Sequence, residues 1–308
     1  MFTWYITSLY DVISQHLPHA IGYADDNSLL LSFEPGSTAA EVDTVAGMEA
    51  CIADVRKWML QHRLLINDTK TEFMLLGTRQ QLQKITIDGI KVGEADIQPA
   101  STVTNLGVSQ DPRLSMAPQV SKVCRSSFYQ LYRLRKVRKY LSNDATQTLV
   151  HAFITSSLDY CNSLYTGMPG YLTDKLQRIQ NAAARLVMRL PKFEHITGFM
   201  FELHWLPVAY RIRYKVLLIT FKALHGMAPV SLSNMLCMYR SDHGRRSNKD
   251  LNLLKVPRTK RKTLGTRCFN YYAPVEWNKL PIDIRMDKSI ESFKSKVKTF
   301  LFKSAYNV

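Results

Sequence analysis

The chain has 308 residues, enough for two or three units of ordinary domain size, and 46% of them are hydrophobic, which excludes a disordered tail. Its 41 Lys and Arg against 25 Asp and Glu give a formal net charge of +16. Such a surplus is typical of proteins drawn to polyanions, with nucleic acid first and acidic membrane second, although a basic composition without such a partner stays open.

Five cysteines are spread along the chain at positions 51, 124, 161, 237 and 268. Their spacing supplies neither a zinc-binding CxxC motif nor a compact disulfide framework. It therefore predicts reduced, mostly buried thiols in an intracellular protein of the nucleus or cytoplasm. The sequence has no signal-peptide pattern and no apolar stretch long enough for a membrane helix, so we expect neither secretion nor membrane insertion.

Two adjacent carboxylates lie near the start of the chain. Residues 1–18 predict a short, apolar, helix-like lead, and residues 19–33 predict a tight β-hairpin with Asp25 and Asp26 at its tip. Adjacent aspartates repel each other, so a divalent cation bound by both is one interpretation. An ordinary surface turn, in which Asp is common, is the other.

A long amphipathic helix is predicted after the hairpin. Thr38 and Glu41 have the spacing of a capping box, in which a hydroxyl and a carboxylate satisfy the first free amides of a helix. Apolar residues then recur at positions 45, 48, 52, 55 and 59. Steps of three and four residues give such a helix one apolar face.

Strands are predicted in the next part of the chain. Residues 64–77 predict two short strands around a polar turn that contains Lys70. Asp88-Gly89 lies between alternating apolar residues and predicts a hairpin over residues 85–92. A helix packed on antiparallel hairpins gives an α+β fold.

The sequence beyond Asp111 predicts helices and is strongly basic. Residues 112–143 contain no Asp or Glu, and aromatic residues at positions 128, 129, 132 and 140 stand among the cations. When Lys or Arg side chains bind phosphates, counterions are released from the nucleic acid, and aromatic rings can stack on its bases. We therefore predict a nucleic-acid interface here. Its candidate binding residues are Lys122, Arg125, Arg133, Arg135, Lys136, Arg138 and Lys139. A solvated charged face over an aromatic core is the alternative.

Three further helices are predicted at about residues 144–165, 172–190 and 208–224. The apolar stripe of the helix at 172–190 indicates core packing or, alternatively, a dimer seam. The helix at 208–224 is apolar over much of its circumference, so we place it at the centre of a bundle. Residues 238–263 predict a flexible connection with two basic clusters, which would serve nuclear import or phosphate contact, or form a solvated loop. A last helical segment reaches Phe302.

Several short motifs follow one another in an order that resembles one family. They are Tyr23-Ala24-Asp25-Asp26; Trp58, Leu64, Asn67, Lys70-Thr71-Glu72 and Gly77; Leu106-Gly107-Val108; and residues 157–162, 177–185, 203–207 and 221–226. In this order they resemble the C-terminal part of the reverse transcriptase of non-LTR (LINE-type) retrotransposons, most like the CR1/L2 and Jockey-like groups. The similarity runs over nearly the whole chain.

The resemblance implies a fold and a division of the chain. Residues 1–111 would be a partial palm of antiparallel hairpins plus a helix, and residues 112–236 would be a mainly helical thumb with C-terminal helices. Residues 237–268 would be a basic flexible connection, followed by a C-terminal helical segment at residues 269–308.

The resemblance also implies nucleotidyl transfer with two magnesium ions, with an RNA template and a DNA primer strand as partners. Asp25 and Asp26 would be catalytic metal ligands. Lys70 would meet the triphosphate and give a proton to the departing pyrophosphate. Leu106 and Gly107 would belong to the primer grip.

The family's third catalytic aspartate lies on a strand upstream of the hairpin. Asp11, in helix-like surroundings, is the only acidic residue before Tyr23, and the segments that form the fingers are missing. We therefore expect a reverse transcriptase by descent that does not turn over as this chain, because each metal would lose a bridging carboxylate. A non-catalytic, basic nucleic-acid-binding module is the alternative. His204 and His225 lack the partners of a zinc site and are predicted to be structural.

Overall fold

A computed structural model describes residues 5–239, 252–259, 261 and 264–308. The chain forms two compact units, Met1–Pro118 and Gln119–Val308. The predicted basic clusters, with cations at positions 245, 246, 260 and 262, lie outside the described residues, and the domain boundaries predicted after residues 236 and 268 stay predictions.

The first unit combines helices with three antiparallel hairpins, which confirms the α+β prediction. Each pair of successive strands forms its own two-stranded sheet. Its elements are helix α1 (Thr7–His16), strands β1 (His19–Tyr23) and β2 (Asp26–Leu30), helix α2 (Thr38–Gln61), a 3₁₀ turn (Asp68–Lys70), helix α3 (Arg79–Leu82), and strands β3 (Ile90–Val92), β4 (Ala95–Ile97), β5 (Val103–Asn105) and β6 (Val108–Gln110).

The hydrophobic core of the first unit lies between α1 and α2. Leu9 and Ile13 of α1 are buried with Cys51 and Val55 of α2. Both pairs are four residues apart, so each helix turns one apolar stripe toward the other. A neighbouring apolar cluster joins α2 to β3. Helix α2 therefore supports the hairpins on either side of it in the sequence.

The N-terminus of α2 is capped one residue earlier than predicted. Ser37 is the N-cap, and its hydroxyl accepts a hydrogen bond from the Ala40 amide at 3.4 Å. Glu41 instead accepts hydrogen bonds from the Thr86 amide at 2.9 Å and the Thr86 hydroxyl at 2.7 Å, and these hydrogen bonds lower the pKa of Glu41. The predicted capping box of Thr38 and Glu41 is wrong, because Ser37 takes the cap position and Glu41 has a tertiary partner.

The predicted hairpin turn at Asp88-Gly89 is also wrong. Strands β3 and β4 pair around Gly93-Glu94, where Gly93 has a left-handed φ of +64°. Glycine adopts this conformation readily. Ile90 and Val92 pack in an apolar cluster with Ile52 of α2, and this packing favours the later register.

The two short strands predicted within residues 64–77 are absent from this segment, all of which is described. Asn67 Oδ1 accepts a hydrogen bond from the Thr69 amide at 3.1 Å and starts the 3₁₀ turn that contains Lys70. Phe73 forms a single bridge, to Pro99. Local hydrogen bonds from side chain to backbone compete with strand pairing.

The second unit is helical. Its elements are α4 (Ala117–Val137), a 3₁₀ turn (Arg138–Tyr140), α5 (Asn143–Val150), a π-helical segment (His151–Thr155), α6 (Ser156–Asp159), a 3₁₀ turn (Asn162–Tyr165), α7 (Gly170–Met188), α8 (Thr197–Glu202), α9 (Val208–Leu224), α10 (Val230–Ser233), a 3₁₀ turn (Gly265–Arg267), α11 (Phe269–Asn278), α12 (Ile282–Arg285) and α13 (Ile290–Tyr306). The helix predicted at residues 208–224 is confirmed at both ends. The helix predicted at residues 144–165 is interrupted by the π-helical segment and gives way to a 3₁₀ turn.

Helix α9 is central to the second unit, as its apolar circumference predicted. It packs against α7, α11 and α13. Phe221 of α9 is buried with Trp277 and Phe293. Leu176 and Ile179, in the apolar stripe of α7, are also fully buried within this unit, which confirms core packing and excludes a dimer seam.

Two predictions from composition can be compared with the structure. All five cysteines are free, but Cys237 and Cys268 are exposed and only Cys51 is buried, so the predicted burial is wrong for most of them. Burial raises the pKa of the Cys51 thiol. Among the helices of the described ranges, none combines the length and apolarity needed to cross a bilayer.

Candidate functional site

The two aspartates lie at the tip of the β1–β2 hairpin. Tyr23 pairs with Asp26, so Ala24 and Asp25 form a two-residue turn, in which Ala24 has a left-handed φ of +55°. Asp25 and Asp26 are both exposed to solvent, where carboxylate oxygens can reach a cation. The predicted hairpin is confirmed, with one aspartate in the turn and the other at the start of β2.

Close packing beneath the turn fixes this hairpin. The Tyr10 hydroxyl of α1 donates a hydrogen bond to Asn27 Oδ1 at 3.1 Å. A Cβ at Gly22, opposite Asn27, would stand 1.5 Å from the Tyr10 hydroxyl oxygen, so any larger residue would displace the Tyr10 side chain. Asn27 Nδ2 donates to the Asp25 carbonyl at 3.4 Å. The backbone of the turn is thus linked to α1, and a fixed backbone is what a metal ligand needs.

The Leu106-Gly107 turn lies beside the β1–β2 hairpin. Strands β5 and β6 pair around this turn, with φ of +45° at Leu106 and +78° at Gly107. Asn105 precedes the turn and donates a hydrogen bond from Nδ2 to Ser28 Oγ of β2 at 3.0 Å. The structure therefore brings together two segments that sequence analysis assigned to different motifs.

The Lys70 segment is bonded to the same β5–β6 hairpin. Glu72 Oε2 accepts a hydrogen bond from the Thr104 amide at 3.3 Å. Asp68 forms an ion pair with Arg56 of α2, which fixes the 3₁₀ turn from its other end. Lys70 itself is exposed. No hydrogen bond or ion pair among the described residues joins Lys70 to either aspartate of the turn.

Asp25 and Asp26 are the acidic pair to consider as ligands of a metal ion. Mg²⁺ is commonly held by one or two carboxylates, with waters and substrate phosphates as its other ligands, and Asp25 and Asp26 fit this pattern. Within the described part of the chain, no group of three or more His, Cys, Asp or Glu side chains is placed to hold a metal ion. Asp11 lies in α1, as its surroundings predicted. A bridged pair of magnesium ions would require further ligands besides these two aspartates.

The solvent-facing side of α4 is basic and aromatic. Its buried stripe is aliphatic apart from two polar residues and contains Val120, Val123, Leu131 and Leu134. The aromatic rings point outward instead, with exposed fractions of 59% for Tyr129, 55% for Tyr132 and 76% for Tyr140, in the 3₁₀ turn after α4. The alternative placed these aromatic rings in a core beneath a charged face. Its aromatic core is therefore wrong, because the rings are exposed.

Cations lie over these exposed rings. The distances to the ring centroid are 5.8 Å for Arg133 over Tyr129, 4.5 Å for Lys136 over Tyr132 and 4.7 Å for Lys139 over Tyr140. Lys122, Arg125 and Arg135 are exposed as well. Six of the seven predicted nucleic-acid-binding residues are thus on the surface of this helix and the turn after it.

Arg138 is the seventh, and it is buried, with 7% of its surface exposed. Its guanidinium donates to the carbonyls of Leu186, Val187 and Leu141 at 2.8 Å each and to Asn143 Oδ1 at 2.5 Å. Two of these carbonyls belong to the last turn of α7, where carbonyls have no amide donors within the helix. Burial lowers the pKa of Arg138. Arg138 therefore binds the end of α7 and is not part of the exposed basic face of α4.

Two glutamines of the motif at residues 177–185 prove to be packing residues. Gln177 Oε1 accepts a hydrogen bond from the amide of Val208, the first residue of α9, at 2.9 Å. Gln180 is buried and donates from Nε2 to the Leu206 carbonyl at 2.9 Å. Both glutamines hold the turn that leads into the central helix, so this part of the resemblance corresponds to structure and not to chemistry.

Sequence analysis missed a polar cluster at the π-helical segment. His151 lies 5.4 Å from the Trp205 ring, and Arg211 forms an ion pair with Asp159, with 2.8 Å from Nε to Oδ1. Burial, reinforced by the charge of Arg211, lowers the pKa of His151. No spacing rule points to this cluster, because tertiary packing assembles it from distant segments.

The structural roles predicted for His204 and His225 are confirmed. His204 Nδ1 hydrogen-bonds the Phe201 carbonyl at 3.0 Å, and His225 Nδ1 hydrogen-bonds the Phe221 carbonyl at 2.8 Å. Each ring bonds a carbonyl at the end of a helix, which also accepts the backbone amide of the same histidine, at 3.0 Å for Phe201 and 3.1 Å for Phe221.

Comparison of the chain with protein-family models, with curated proteins and with solved structures gave no match. Its function is therefore inferred from its own residues and their geometry.

Proposed function

We propose that the chain is the end of the palm and the thumb of a LINE-type reverse transcriptase, and that it binds nucleic acid through the basic face of α4. The observation that carries the proposal is the hydrogen bond from Asn105 to Ser28. It joins the Leu106-Gly107 turn to the hairpin of Asp25 and Asp26. Both segments resemble palm motifs, and in a palm the primer end must lie beside the metal ligands.

In this proposal Asp25 and Asp26 hold a magnesium ion at an exposed, fixed turn. A bound magnesium ion neutralises phosphate charge and favours attack by the primer hydroxyl. Lys70 is exposed, so its ammonium group can reach a substrate phosphate and give a proton to the departing pyrophosphate. Because a pair of bridged magnesium ions needs more carboxylate ligands than Asp25 and Asp26 supply, we expect binding of template and primer without turnover.

Replacement of Mg²⁺ by Fe²⁺ tests the metal site without requiring turnover. In the presence of ascorbate and peroxide, bound Fe²⁺ generates hydroxyl radicals that cleave the nearby backbone. Mass spectrometry should find cleavage near residues 24–27 and near the Leu106-Gly107 turn, and excess Mg²⁺ should suppress both. The double variant Asp25→Asn, Asp26→Asn should lose both cleavages.

The β3–β4 hairpin offers a matched control. The double variant Glu94→Gln, Asp96→Asn removes two exposed carboxylates from another hairpin of the same unit and should leave the cleavage pattern unchanged. Cleavage that survives in the Asp25 and Asp26 variant would overturn the metal assignment.

Primer extension on poly(rA)·oligo(dT) with Mg²⁺ tests the expectation of no turnover. We expect no incorporation of nucleotide. Incorporation that Asp25→Ala abolishes would show that the chain completes its site, which would support the assignment of Asp25 and overturn the expected inactivity.

A non-catalytic nucleic-acid-binding module is the second candidate, and the exposed basic face of α4 favours it. This candidate predicts that the wild-type chain binds poly(rA)·oligo(dT) but shows no Fe²⁺ cleavage at the β1–β2 turn. Binding should then depend on Arg125, Arg133 and Lys136, so that replacing all three with Gln weakens it strongly.

A further inference from the structure

We propose that the outward face of α4 binds single-stranded nucleic acid, with bases stacked on Tyr129 and Tyr132 and phosphates held by the neighbouring cations. This inference rests on the proposed binding of nucleic acid and names the substrate class that the surface selects.

The outward side chains of α4 form a continuous stripe, which we call the tyrosine–cation stripe. Its members are Lys122, Arg125, Tyr129, Tyr132, Arg133 and Lys136. Steps of three and four residues keep them on one side of the helix, opposite the buried aliphatic stripe. At 1.5 Å per residue the tyrosine–cation stripe is about 21 Å long. A polynucleotide laid along it meets two cations, then the two rings, then two more cations.

The exposed rings distinguish a single strand from a duplex. Contact with phosphates needs cations alone, whereas a solvent-facing ring gains a partner only from a base whose face is free. In a duplex the faces of the bases are covered by their neighbours in the stack. More than half of the surface of Tyr129 and of Tyr132 is exposed, and neither ring belongs to the core of the unit. The pattern of exposure therefore favours a single strand.

A cation one turn further along α4 orders each of these rings. Arg133 lies over Tyr129 at 5.8 Å and Lys136 lies over Tyr132 at 4.5 Å. A ring held in this way loses less side-chain freedom when a base stacks on its exposed surface. The same cation is then close to the phosphate of the stacked nucleotide. Ring and cation together form one nucleotide-sized unit, and α4 presents two of them in succession.

The charges on this face are available to a ligand. Residues 112–143 contain no acidic side chain. Among the described residues, no ion pair joins Arg125, Arg133 or Lys136 to a carboxylate. Binding of a phosphate therefore breaks no internal ion pair, and the gain from counterion release is kept.

The test is a cycle of two proteins and two oligonucleotides, measured by fluorescence anisotropy on the full chain. The probes are an oligo(dT) of roughly 16 nucleotides, at the upper end of common site sizes, and an abasic strand of the same length and charge. The proteins are the wild type and the double variant Tyr129→Leu, Tyr132→Leu. Wild-type chain should bind oligo(dT) at least about fivefold more tightly than the abasic strand. The variant should lose this preference, because leucine offers no π face.

Two control variants separate ring stacking from other effects. Tyr129→Phe with Tyr132→Phe keeps both rings and should keep the preference for oligo(dT). Tyr171→Leu removes another exposed tyrosine, which has a lysine, Lys175, at 5.7 Å on α7, and should leave the preference unchanged. Far-ultraviolet circular dichroism checks that each variant keeps its helix content.

The outcomes distinguish this inference from the proposed function beneath it. Equal affinity of the wild type for oligo(dT) and the abasic strand, or tighter binding of a duplex of the same length, would overturn the single-strand inference and leave nucleic-acid binding intact. If the wild type binds neither oligo(dT), nor the abasic strand, nor the duplex, both proposals are overturned.

Discussion

Arg138 and Arg135 are three residues apart in a basic stretch, but the structure gives them different roles. Arg138 donates four hydrogen bonds from a buried position, including two to the end of α7, while Arg135 is exposed. Arg138→Met should lower the free energy of unfolding by about 2–4 kcal/mol, because buried carbonyls lose a charged donor. Urea denaturation of the full chain measures this loss.

Arg135→Met is the matched control for this prediction. The same change of charge and length at an exposed position should alter stability by less than about 0.5 kcal/mol. A similar loss in both variants would contradict this role of Arg138 and would indicate a general effect of net charge.

The sequence contains a signal for the burial of Arg138, but none for its partners. Leu131, Leu134 and position 138 follow one another at steps of three and four residues, so Arg138 continues the buried stripe of α4. The periodicity of buried residues could therefore have excluded Arg138 from the predicted nucleic-acid-binding residues. The carbonyls of Leu186 and Val187, about fifty residues later, could not be predicted, because only tertiary packing brings the end of α7 to Arg138.

At the scale of the element, two glycines of the first unit test where a turn lies. Gly93→Ala should destabilise the chain by about 1–2 kcal/mol, because Gly93 has a φ of +64°. The new Cβ would also stand 2.8 Å from Arg56 Cζ. Gly47 lies in the interior of α2 with nothing within 4 Å of an added Cβ, so Gly47→Ala should stabilise by about 0.5–1 kcal/mol. Opposite signs in thermal unfolding are expected, and a neutral Gly93→Ala would contradict the observed β3–β4 turn.

Asp287, which lies just before helix α13, makes stability depend on pH. Asp287 forms an ion pair with Lys296 at 2.8 Å and accepts hydrogen bonds from the Ser292 hydroxyl at 2.5 Å and the Ser289 amide at 3.1 Å. The hydrogen bond from Lys296, then that from Ser292, lowers the pKa of Asp287 to about 2. Since this folded value lies below the unfolded value of about 3.9, the stabilisation is present above pH ~4 and is lost as the pH falls toward ~2.

Asp287→Asn should therefore lower stability at neutral pH and flatten the loss of stability between pH ~4 and ~2. Urea midpoints across this range measure both effects. Asp283→Asn, at an exposed position in α12, is the control and should keep the wild-type acid dependence. Parallel acid dependences in the wild type and Asp287→Asn would show that Asp287 does not supply the pH-dependent stability.

Elements were predictable where local pattern determines them. The periodicity of residues 208–224 predicts α9, and the apolar runs around Asp25 and Asp26 predict the first hairpin. The hairpin predicted over residues 85–92 failed because Ile90 and Val92 pack against α2 and their strand pairs instead around Gly93-Glu94, which local sequence does not reveal. The same holds for the candidate site. The turn that contains the aspartates could be predicted from the sequence, whereas the hydrogen bond from Asn105 to Ser28 depends on tertiary structure.

For the whole molecule, a net charge of +16 attracts any polyanion, so binding alone does not identify a surface. The dependence of affinity on salt does identify the binding surface. Each phosphate contact with a single strand contributes a slope of about 0.7 in log K against log salt. Arg133→Gln with Lys136→Gln removes two charges from the tyrosine–cation stripe. Lys298→Gln with Lys303→Gln removes two exposed charges from α13.

Both double variants have the same net charge. They therefore distinguish attraction by the net charge of the whole chain from specific contacts with phosphates. If the tyrosine–cation stripe holds phosphates, the Arg133 and Lys136 variant should reduce the slope by about 1.4, while the α13 variant should leave it nearly unchanged. If the net charge alone drives binding, the two slopes should fall equally. Oligo(dT) binding measured over a tenfold range of salt resolves this difference, and equal slopes would show that α4 is not the binding surface.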